Sequence, residues 1–197
     1  MQKIVLASNN IKKIQEINEL LIGINLEIVP QSLFKIGEAK EPFDTFIENA
    51  LTKARYASKR TNLPAIADDS GICVDSLDMR PGIKSARYAH EKATDQENID
   101  KLLSALSGEK NRNAHYYCSI VFITHPEDPQ PIICEGIWRG KIVETPRGNN
   151  GFGYDPIFED FMTEKTAAEL DPIMKNKLSH RGQALQQLKH KLTMKYE

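Results

Sequence analysis

The sequence has no excess of either charge, few cysteines and no long apolar run. It carries 26 lysines and arginines against 27 aspartates and glutamates. Proteins that hold nucleic acid by its phosphates usually show a basic excess or a basic stripe, so we expect no nucleic-acid partner. No apolar stretch approaches the ~18 residues that a membrane span needs, so we expect no membrane association. The beginning, MQKIVLASNN, passes directly into a strand and a polar loop and does not look like a signal peptide.

The three cysteines, Cys73, Cys118 and Cys134, are odd in number and far apart in the sequence. This spacing suits reduced thiols buried as small apolar groups better than a disulfide framework or a zinc site. A length of 197 residues allows one domain with a sizeable core. We therefore predict a single cytoplasmic domain over residues 1–197.

Apolar periodicity near the beginning predicts a strand–helix–strand unit. Residues 3–7 read as a short buried strand, and apolar positions then recur at helical spacing from Ile11 to Leu21. A second strand covers residues 26–29. Consecutive strands joined by a helix favour parallel pairing, so we predict an α/β fold with a partly parallel sheet.

Further along, Thr45 and Glu48 match a capping box that opens a helix running to about Lys59. Residues 64–67 read as another strand. The other predicted elements are a helix capped by Asp95, paired strands over 116–124 and 132–143, and a last helix from about Ser179.

A polar turn, Ser8-Asn9-Asn10, separates the first strand from the first helix, and Lys13 follows it. Such a turn offers backbone N–H groups and the positive end of the helix dipole, which favour phosphate binding. An ordinary helix cap with a surface lysine is an equally good interpretation. The sequence contains neither a Walker loop nor a G-x-G-x-x-G motif after a strand, so any phosphate site is of another kind.

The run Asp68-Asp69-Ser70-Gly71 follows the strand predicted over residues 64–67. Adjacent carboxylates repel each other unless a cation or hydrogen bonds compensate them. Mg²⁺ commonly binds one or two carboxylates together with substrate phosphates, so we prefer a metal site to a solvated acidic turn. Taken alone, Glu41 reads as a solvated loop acid and Lys53 as a helix-surface cation.

Residues 147–156 are too rich in glycine for a helix and predict a shaped loop that presents Phe152. An aromatic side chain on such a loop can stack on a flat base. Lys175, His180 and Arg181 are rich in hydrogen-bond donors, which suits a ligand with carbonyl oxygens. The other interpretation is core aromatics beside a helix that happens to begin with basic residues.

Six motifs occur in one order along nearly the whole chain. They are Ser8-Asn9-Asn10-x-x-Lys13, Phe46-Ile47-Glu48-Asn49-Ala50 with Lys53, Ala67-Asp68-Asp69-Ser70-Gly71, Pro81-Gly82 with Ser85-Ala86-Arg87-Tyr88, Gly151-Phe152-Gly153-Tyr154-Asp155-Pro156, and Ser179-His180-Arg181-Gly182. In residues and order they resemble the inosine triphosphate pyrophosphatases, also called XTP/dITP diphosphatases. Ser8-Asn9 stands where Thr-Gly is commoner.

The resemblance implies an elongated, two-lobed α/β fold with a mixed sheet and a central active-site cleft, assembled as a homodimer. It also implies hydrolysis of deaminated purine nucleoside triphosphates (ITP, dITP and XTP) to monophosphate and pyrophosphate, which cleanses the nucleotide pool. The implied cofactor is Mg²⁺, bound by Asp69 and Glu41.

The resemblance further implies roles for individual residues. Asp69 is the general base, Asp68 supports the metal, and Lys13 and Lys53 neutralise the triphosphate. The implied substrate-binding residues are Ser8, Asn9, Asn10, Lys13, Ser70, Phe152, Gly153, Tyr154, Asp155, Lys175, His180 and Arg181; the implied catalytic residues are Asp69, Lys13, Lys53, Glu41 and Asp68. Three other functions stay open: a catalytically silent nucleotide sensor, a nucleic-acid-binding domain, and a pyrophosphatase that prefers another base.

Overall fold

The computed structural model describes residues 2–21 and 26–196 and has a six-stranded sheet in the order β2-β1-β3-β4-β5-β6. The strands are β1 Gln2–Leu6, β2 Leu26–Pro30, β3 Ala65–Val74, β4 Asn113–Ile123, β5 Ile132–Ile142 and β6 Phe158–Asp160. The helices are α1 Ile11–Leu20, α2 Phe46–Thr61, α3 Asp95–Ala105, α4 Pro172–Leu178 and α5 His180–Tyr196. Strand β1 pairs in parallel with β2 and β3, and β5 pairs antiparallel with β6. The sheet is mixed, which confirms the predicted α/β class and the strand–helix–strand unit.

The chain forms two compact units, each built from separated segments. Unit 1 comprises residues up to 69, residues 118–136, and residues from 181 onward; unit 2 comprises residues 70–117 and 137–180. Strands β3, β4 and β5 each contribute residues to both units. No helix in the described ranges is long and apolar enough to cross a membrane.

In unit 1, strands β1 and β3 are covered on both faces. Ile4, Leu6 and Ile66 pack with side chains of α1 and α5 on one face. Ala65 and Ala67, with neighbours from β1, pack against the alanines of α2 on the other face. Successive strand residues point to opposite faces, so burial on both sides explains why these strands read as unbroken apolar runs.

The core of unit 2 is built around aromatic rings. Tyr116, Trp138 and Phe158 contact one another, with ring centroids 4.7 Å apart for Tyr116 and Phe158 and 5.1 Å apart for Trp138 and Phe158. Trp138 Nε1 donates a hydrogen bond of 2.8 Å to Asp160 Oδ1, which satisfies its buried polar atom. The predicted burial of the cysteines is confirmed for Cys73, Cys118 and Cys134.

Two predictions about element ends are wrong. The strand predicted over residues 64–67 does not stop before the acidic pair but continues through it to Val74, because residues 72–74 are apolar and buried. The cap of α3 is Thr94, which forms a reciprocal capping box with Glu97, and Asp95 is the first helical residue. Helix α4 and the short strand β6 were not predicted.

Candidate active site

Asp68 and Asp69 are neighbours in β3 and therefore project to opposite faces of the sheet. Asp68 lies on the face covered by α1 and α5, where Lys13 Nζ approaches its Oδ2 to 2.9 Å. Asp69 lies on the face covered by α2, where Lys53 Nζ is 3.4 Å from its Oδ1. One strand thus supplies a carboxylate to each of two charge clusters in unit 1.

The Asp68 cluster joins the first turns of two helices. Lys13 comes from α1, and Arg181 comes from α5 with its Nε 3.4 Å from Asp68 Oδ2. Arg181 Nη1 also lies 2.6 Å from Glu16 Oε2. Burial alone would raise the pKa of Asp68, but the charges of Lys13 and Arg181 outweigh it and hold that pKa well below its usual range. Asp68 is therefore ionised and paired with protein cations.

The Asp69 cluster is organised around Lys53. The ammonium lies 2.7 Å from Glu41 Oε1 and 3.4 Å from Asp69 Oδ1. Burial would lower the pKa of Lys53, but the charges of Asp69, Asp68 and Glu41 outweigh burial and raise it. The pKa of Asp69 is raised, chiefly by burial and further by Glu41, against the opposing effect of Lys53. Lys53 stays charged, while Asp69 binds a proton more readily than an exposed aspartate does.

The donor set around Asp69 fits Mg²⁺ of the kind that shares its ligands with a substrate. Asp69 Oδ2 is buried and has no hydrogen-bond partner among the described residues, and Glu41 supplies a second carboxylate nearby through Lys53. Mg²⁺ takes oxygen ligands and often binds one or two carboxylates plus phosphates and water. In the part of the chain that the structure describes, no three acidic, histidine or cysteine side chains form a closed metal cage. The pair suits an open site that phosphates complete.

The turn before α1 is also a helix cap. The backbone N–H of Lys13 donates to Asn10 Oδ1 at 3.2 Å, and the N–H of Asn10 donates to Ser8 Oγ at the same distance. Asn9 Nδ2 is 3.4 Å from Glu38 Oε1. Asn10 therefore caps the helix, as in the interpretation of this turn as an ordinary helix cap. The same contacts fix the position of Lys13 beside Asp68.

After Asp69, strand β3 continues as Ser70-Gly71 in unit 2. Ser70 is partly buried. A side chain at Gly71 would overlap the carbonyl oxygen of Gly82 and the hydroxyl of Ser85. Ser85 Oγ also accepts a 2.9 Å hydrogen bond from the N–H of Ile72. The glycine of this motif is thus explained by close packing.

The predicted loop of unit 2 is arranged around the carboxylate of Asp155. Its Oδ2 accepts from the Phe152 N–H at 2.8 Å and from Lys175 Nζ at 2.7 Å, and its Oδ1 accepts from the Tyr116 hydroxyl at 3.3 Å. Lys175 Nζ also lies 5.0 Å from the ring centroid of Phe152. Gly151 has φ +79°, and a side chain there would overlap Asp155. Only glycine meets both conditions comfortably.

Two more contacts anchor the same loop. The Tyr154 hydroxyl donates to the carbonyl oxygen of Ser85 at 2.8 Å, and Tyr154 itself is buried in the unit 2 core. The Gly153 N–H donates to the Asp95 carboxylate at 2.7 Å. These contacts give Tyr154 and Gly153 a structural part in shaping the loop, whatever further contact they make with a ligand.

His180 and Arg181 are consecutive but have different surroundings. In unit 2, the His180 ring stacks on Tyr116, with centroids 4.7 Å apart and planes 6° from parallel. In unit 1, Arg181 is paired with Glu16 and Asp68. The helix dipole disfavours a cation at the beginning of a helix, and two carboxylates of the protein compensate Arg181 there.

Three residues that the sequence analysis missed belong to these clusters. Glu16 lies three positions after Lys13 on one face of α1, a spacing that could have indicated it. Tyr116 and Asp95 carry no such signal, because each contacts residues far away in the sequence: Tyr116 donates to Asp155, and Asp95 accepts from Gly153.

Solved structures place this fold in a known class. The chain resembles a HAM1 protein from Coxiella burnetii with a TM-score of 0.94, 49% identity and coverage of 98% of this chain and 100% of that one. The Staphylococcus aureus Ham1 protein gives a TM-score of 0.89 at 36% identity, with coverage of 98% and 100%.

The sequence leads to the same class. Residues 4–191 match the Ham1 family, and the chain belongs to that family. A relative from Nitrosomonas europaea called dITP/XTP pyrophosphatase is 55% identical over 190 residues, which is 95% of this chain and 93% of the relative. A Coxiella burnetii protein of the same name is 49% identical over 195 residues, with 98% of each chain covered. The resemblance drawn from the six motifs is confirmed.

Proposed function

We propose that this protein hydrolyses ITP, dITP and XTP to the nucleoside monophosphate and pyrophosphate, and so removes deaminated purine nucleotides from the pool. The observation that carries the proposal is Asp69: a buried carboxylate, beside Lys53 and Glu41, with one oxygen that has no hydrogen-bond partner among the described residues. The names of relatives about 50% identical over nearly the whole chain support it. We infer that the chain acts as one functional domain.

In the proposed reaction, water attacks the α-phosphorus while the bond to the β-phosphate oxygen breaks. Asp69 Oδ2 accepts the proton of the attacking water, and the raised pKa of this carboxyl suits a general base. The oxygen of the water becomes bonded to the α-phosphorus, and pyrophosphate leaves with the electrons of the broken bond. Lys53 and Lys13 are held near carboxylates and place positive charge where phosphate charge grows.

Mg²⁺ is the proposed cofactor, and Asp69 and Glu41 would hold it together with phosphate oxygens. When bound, it neutralises the charge of the triphosphate and helps to align it. Asp68 is proposed to assist through its charge, since its own contacts are with Lys13 and Arg181. Ser8, Asn9, Asn10 and Ser70 are proposed phosphate-side contacts.

We propose that the residues around Asp155 in unit 2 recognise the base. Phe152 stacks on the purine, and Lys175 and His180 present donors. Asp155 holds Lys175 and the Phe152 backbone, and Tyr154 anchors the loop to Ser85. Hypoxanthine and xanthine carry an acceptor at C6 where adenine carries an amino donor, so donors aimed there reject ATP. Burying unpaired polar groups against the wrong base can discriminate ~10⁴-fold. Arg181 is a further proposed contact to the purine, made from a guanidinium anchored by Glu16 and Asp68.

A nucleotide panel with Mg²⁺, assayed separately for pyrophosphate and orthophosphate, tests the proposal. We expect ITP, dITP and XTP to yield pyrophosphate and monophosphate, with ATP and GTP far slower and a chelator abolishing turnover. Orthophosphate as the first product would refute cleavage of the α–β bond. Binding without turnover would mark a sensor, and faster turnover of a different nucleotide would change the assigned base.

The resemblance also leads us to propose a cytoplasmic homodimer. Light scattering coupled to size-exclusion chromatography measures the mass directly. A mass of about twice the 22.3 kDa of one chain is the expected result, and the monomer mass at micromolar concentration would refute it.

A further inference from the structure

We propose that Tyr116 is a positioning residue for base recognition: it fixes Asp155 through its hydroxyl and His180 through its ring. The inference rests on the proposed function, because it assumes that the cluster around Asp155 meets the purine. Tyr116 touches none of the reacting atoms of that proposal and acts through its two neighbours.

The Tyr116 hydroxyl donates to one carboxylate oxygen of Asp155, and Lys175 and Phe152 donate to the other. Lys175 Nζ and the Phe152 N–H both donate to Oδ2, whereas the Tyr116 hydroxyl donates to Oδ1 at 3.3 Å. Donors on both oxygens fix the carboxylate against rotation. Because Lys175 and the Phe152 backbone are held by that same carboxylate, its orientation sets where a stacking ring and an ammonium donor lie.

The ring holds His180 from one side. The two rings are nearly parallel, 6° apart in plane, with centroids separated by 4.7 Å. Tyr116 itself is immobilised by the core, where Phe158 packs edge-on at 4.7 Å and Trp138 stacks at 6.2 Å. A rigid aromatic plane thus fixes the plane of the imidazole, and the rigidity comes from the apolar interior of unit 2.

The hydroxyl is not needed for burial of the ring. A phenylalanine would fill the same apolar site, and a buried tyrosine hydroxyl without a partner would be costly. Burial and the nearby charge of Asp155 raise the pKa of Tyr116 well above its usual value, so the hydroxyl keeps its proton and remains a donor. The hydroxyl donates to Asp155, a residue of the proposed base-reading group.

Tyr116→Phe removes the hydroxyl and keeps the ring, with Tyr196→Phe as the matched control at the far end of α5. We expect the KM for ITP to rise about 3- to 10-fold, the range for one hydrogen bond, with kcat within about twofold. ATP, which carries an amino donor at C6 instead of an acceptor, should change less, so the ITP/ATP ratio of kcat/KM should fall. An unchanged ratio, either through equal losses or through no loss, would overturn the inference.

A double-mutant cycle tests whether Tyr116 acts through Asp155. In an Asp155→Asn background, Tyr116→Phe should add little to the loss for ITP, since the carboxylate it positions is gone. Fully additive losses would overturn this route. Calorimetric titration of IMP and AMP needs no turnover: a selective weakening of IMP binding in Tyr116→Phe supports the inference even if hydrolysis of ITP fails, and equal affinities in mutant and wild type overturn it.

Discussion

The carboxylates of Asp69 in unit 1 and Asp155 in unit 2 are both largely buried, but their oxygens are used differently. Asp155 accepts hydrogen bonds on both oxygens, from Tyr116, Phe152 and Lys175. Asp69 has a distant contact to Lys53 on one oxygen and no hydrogen-bond partner on the other within the described residues. A carboxylate that accepts hydrogen bonds on both oxygens holds the surrounding loop in position. One with a buried oxygen that accepts no hydrogen bond can take up a proton or a cation.

A second contrast exists within unit 1, between adjacent residues. Asp68 is stabilised as an anion by Lys13 and Arg181, whereas burial and Glu41 favour the protonated form of Asp69. Because strand alternation sends the two side chains to opposite faces, neighbours in sequence have opposite electrostatic surroundings. Two carboxylates whose pKa values are pushed apart are typical of sites where one acid holds charge and the other transfers protons.

The largest expected effect is on Asp69. Asp69→Asn keeps the size of the side chain and removes its basicity, so kcat for ITP should fall by ~10²- to 10⁴-fold with the fold intact. Asp78→Asn, at a side chain that is 98% exposed, is the matched control and should retain full activity. If Asp69→Asn keeps more than about a tenth of wild-type activity, the base is another group.

Arg181→Ala tests which cluster that residue serves. A contact to the purine carbonyl predicts a loss for ITP of roughly 30- to 150-fold in kcat/KM, the scale of a hydrogen bond to a charged group, with little loss for ATP. The ITP/ATP ratio should then collapse. Parallel losses for both nucleotides together with a lower melting temperature would instead assign Arg181 to the charge cluster of Asp68 and Glu16, leaving selectivity to Lys175 and His180.

Local patterns predicted the elements of this fold better than they predicted the contacts of the site. Helical spacing and the Thr45 cap located α1 and α2 within a few residues, because these signals act over one turn. The end of β3 was misplaced since polar residues usually end a buried strand, and here Lys13, Lys53 and Arg181 compensate them from distant segments. Such long-range compensation has no local signature.

The candidate site shows the same division. The family resemblance implied a shared catalytic role for Asp69 and Lys53, and the structure brings them together. The motifs did not indicate that Arg181 would pair with Asp68, or that Tyr116 would contact both Asp155 and His180. Those partners are separated by dozens of residues, and only the folded sheet brings them into contact.

The opposite pKa shifts of Asp68 and Asp69 predict opposite stability changes in metal-free protein. A lowered pKa contributes stability that is present above the unfolded value of ~3.9 and is lost as the pH falls toward the folded value. Asp68→Asn should therefore cost about 2 kcal/mol at pH 7, somewhat below the range for breaking a buried pair because Asn keeps hydrogen bonds. This gap to wild type should persist down to about pH 4 and narrow only below it.

For Asp69 the sign is reversed. A raised pKa contributes stability that is present below the unfolded value and is lost as the pH rises through the folded value. Asp69→Asn should therefore match wild type near pH 4 and be slightly more stable at pH 7. Urea unfolding of both variants with a chelator present measures this. A loss of stability at pH 7 in Asp69→Asn would contradict the assigned direction.

Replacing the two lysines should cost less activity than replacing Asp69 or Arg181, and it separates the phosphate side of the site from the base side. Lys13 and Lys53 are held by Asp68 and by Glu41 with Asp69, all in unit 1. Lys13→Ala and Lys53→Ala should each lower kcat/KM about tenfold, near the low end for a hydrogen bond to a charged group. Because the triphosphate is common to all substrates, hydrolysis of ITP and of XTP should be weakened alike, and the ratio of their kcat/KM values should stay within about twofold.

Lys177→Ala, at an exposed position of α4, is the control for a lost surface charge. If one nucleotide suffers much more than the other, the lysine contacts the base, and the division between a phosphate-binding cluster and a base-reading cluster is wrong.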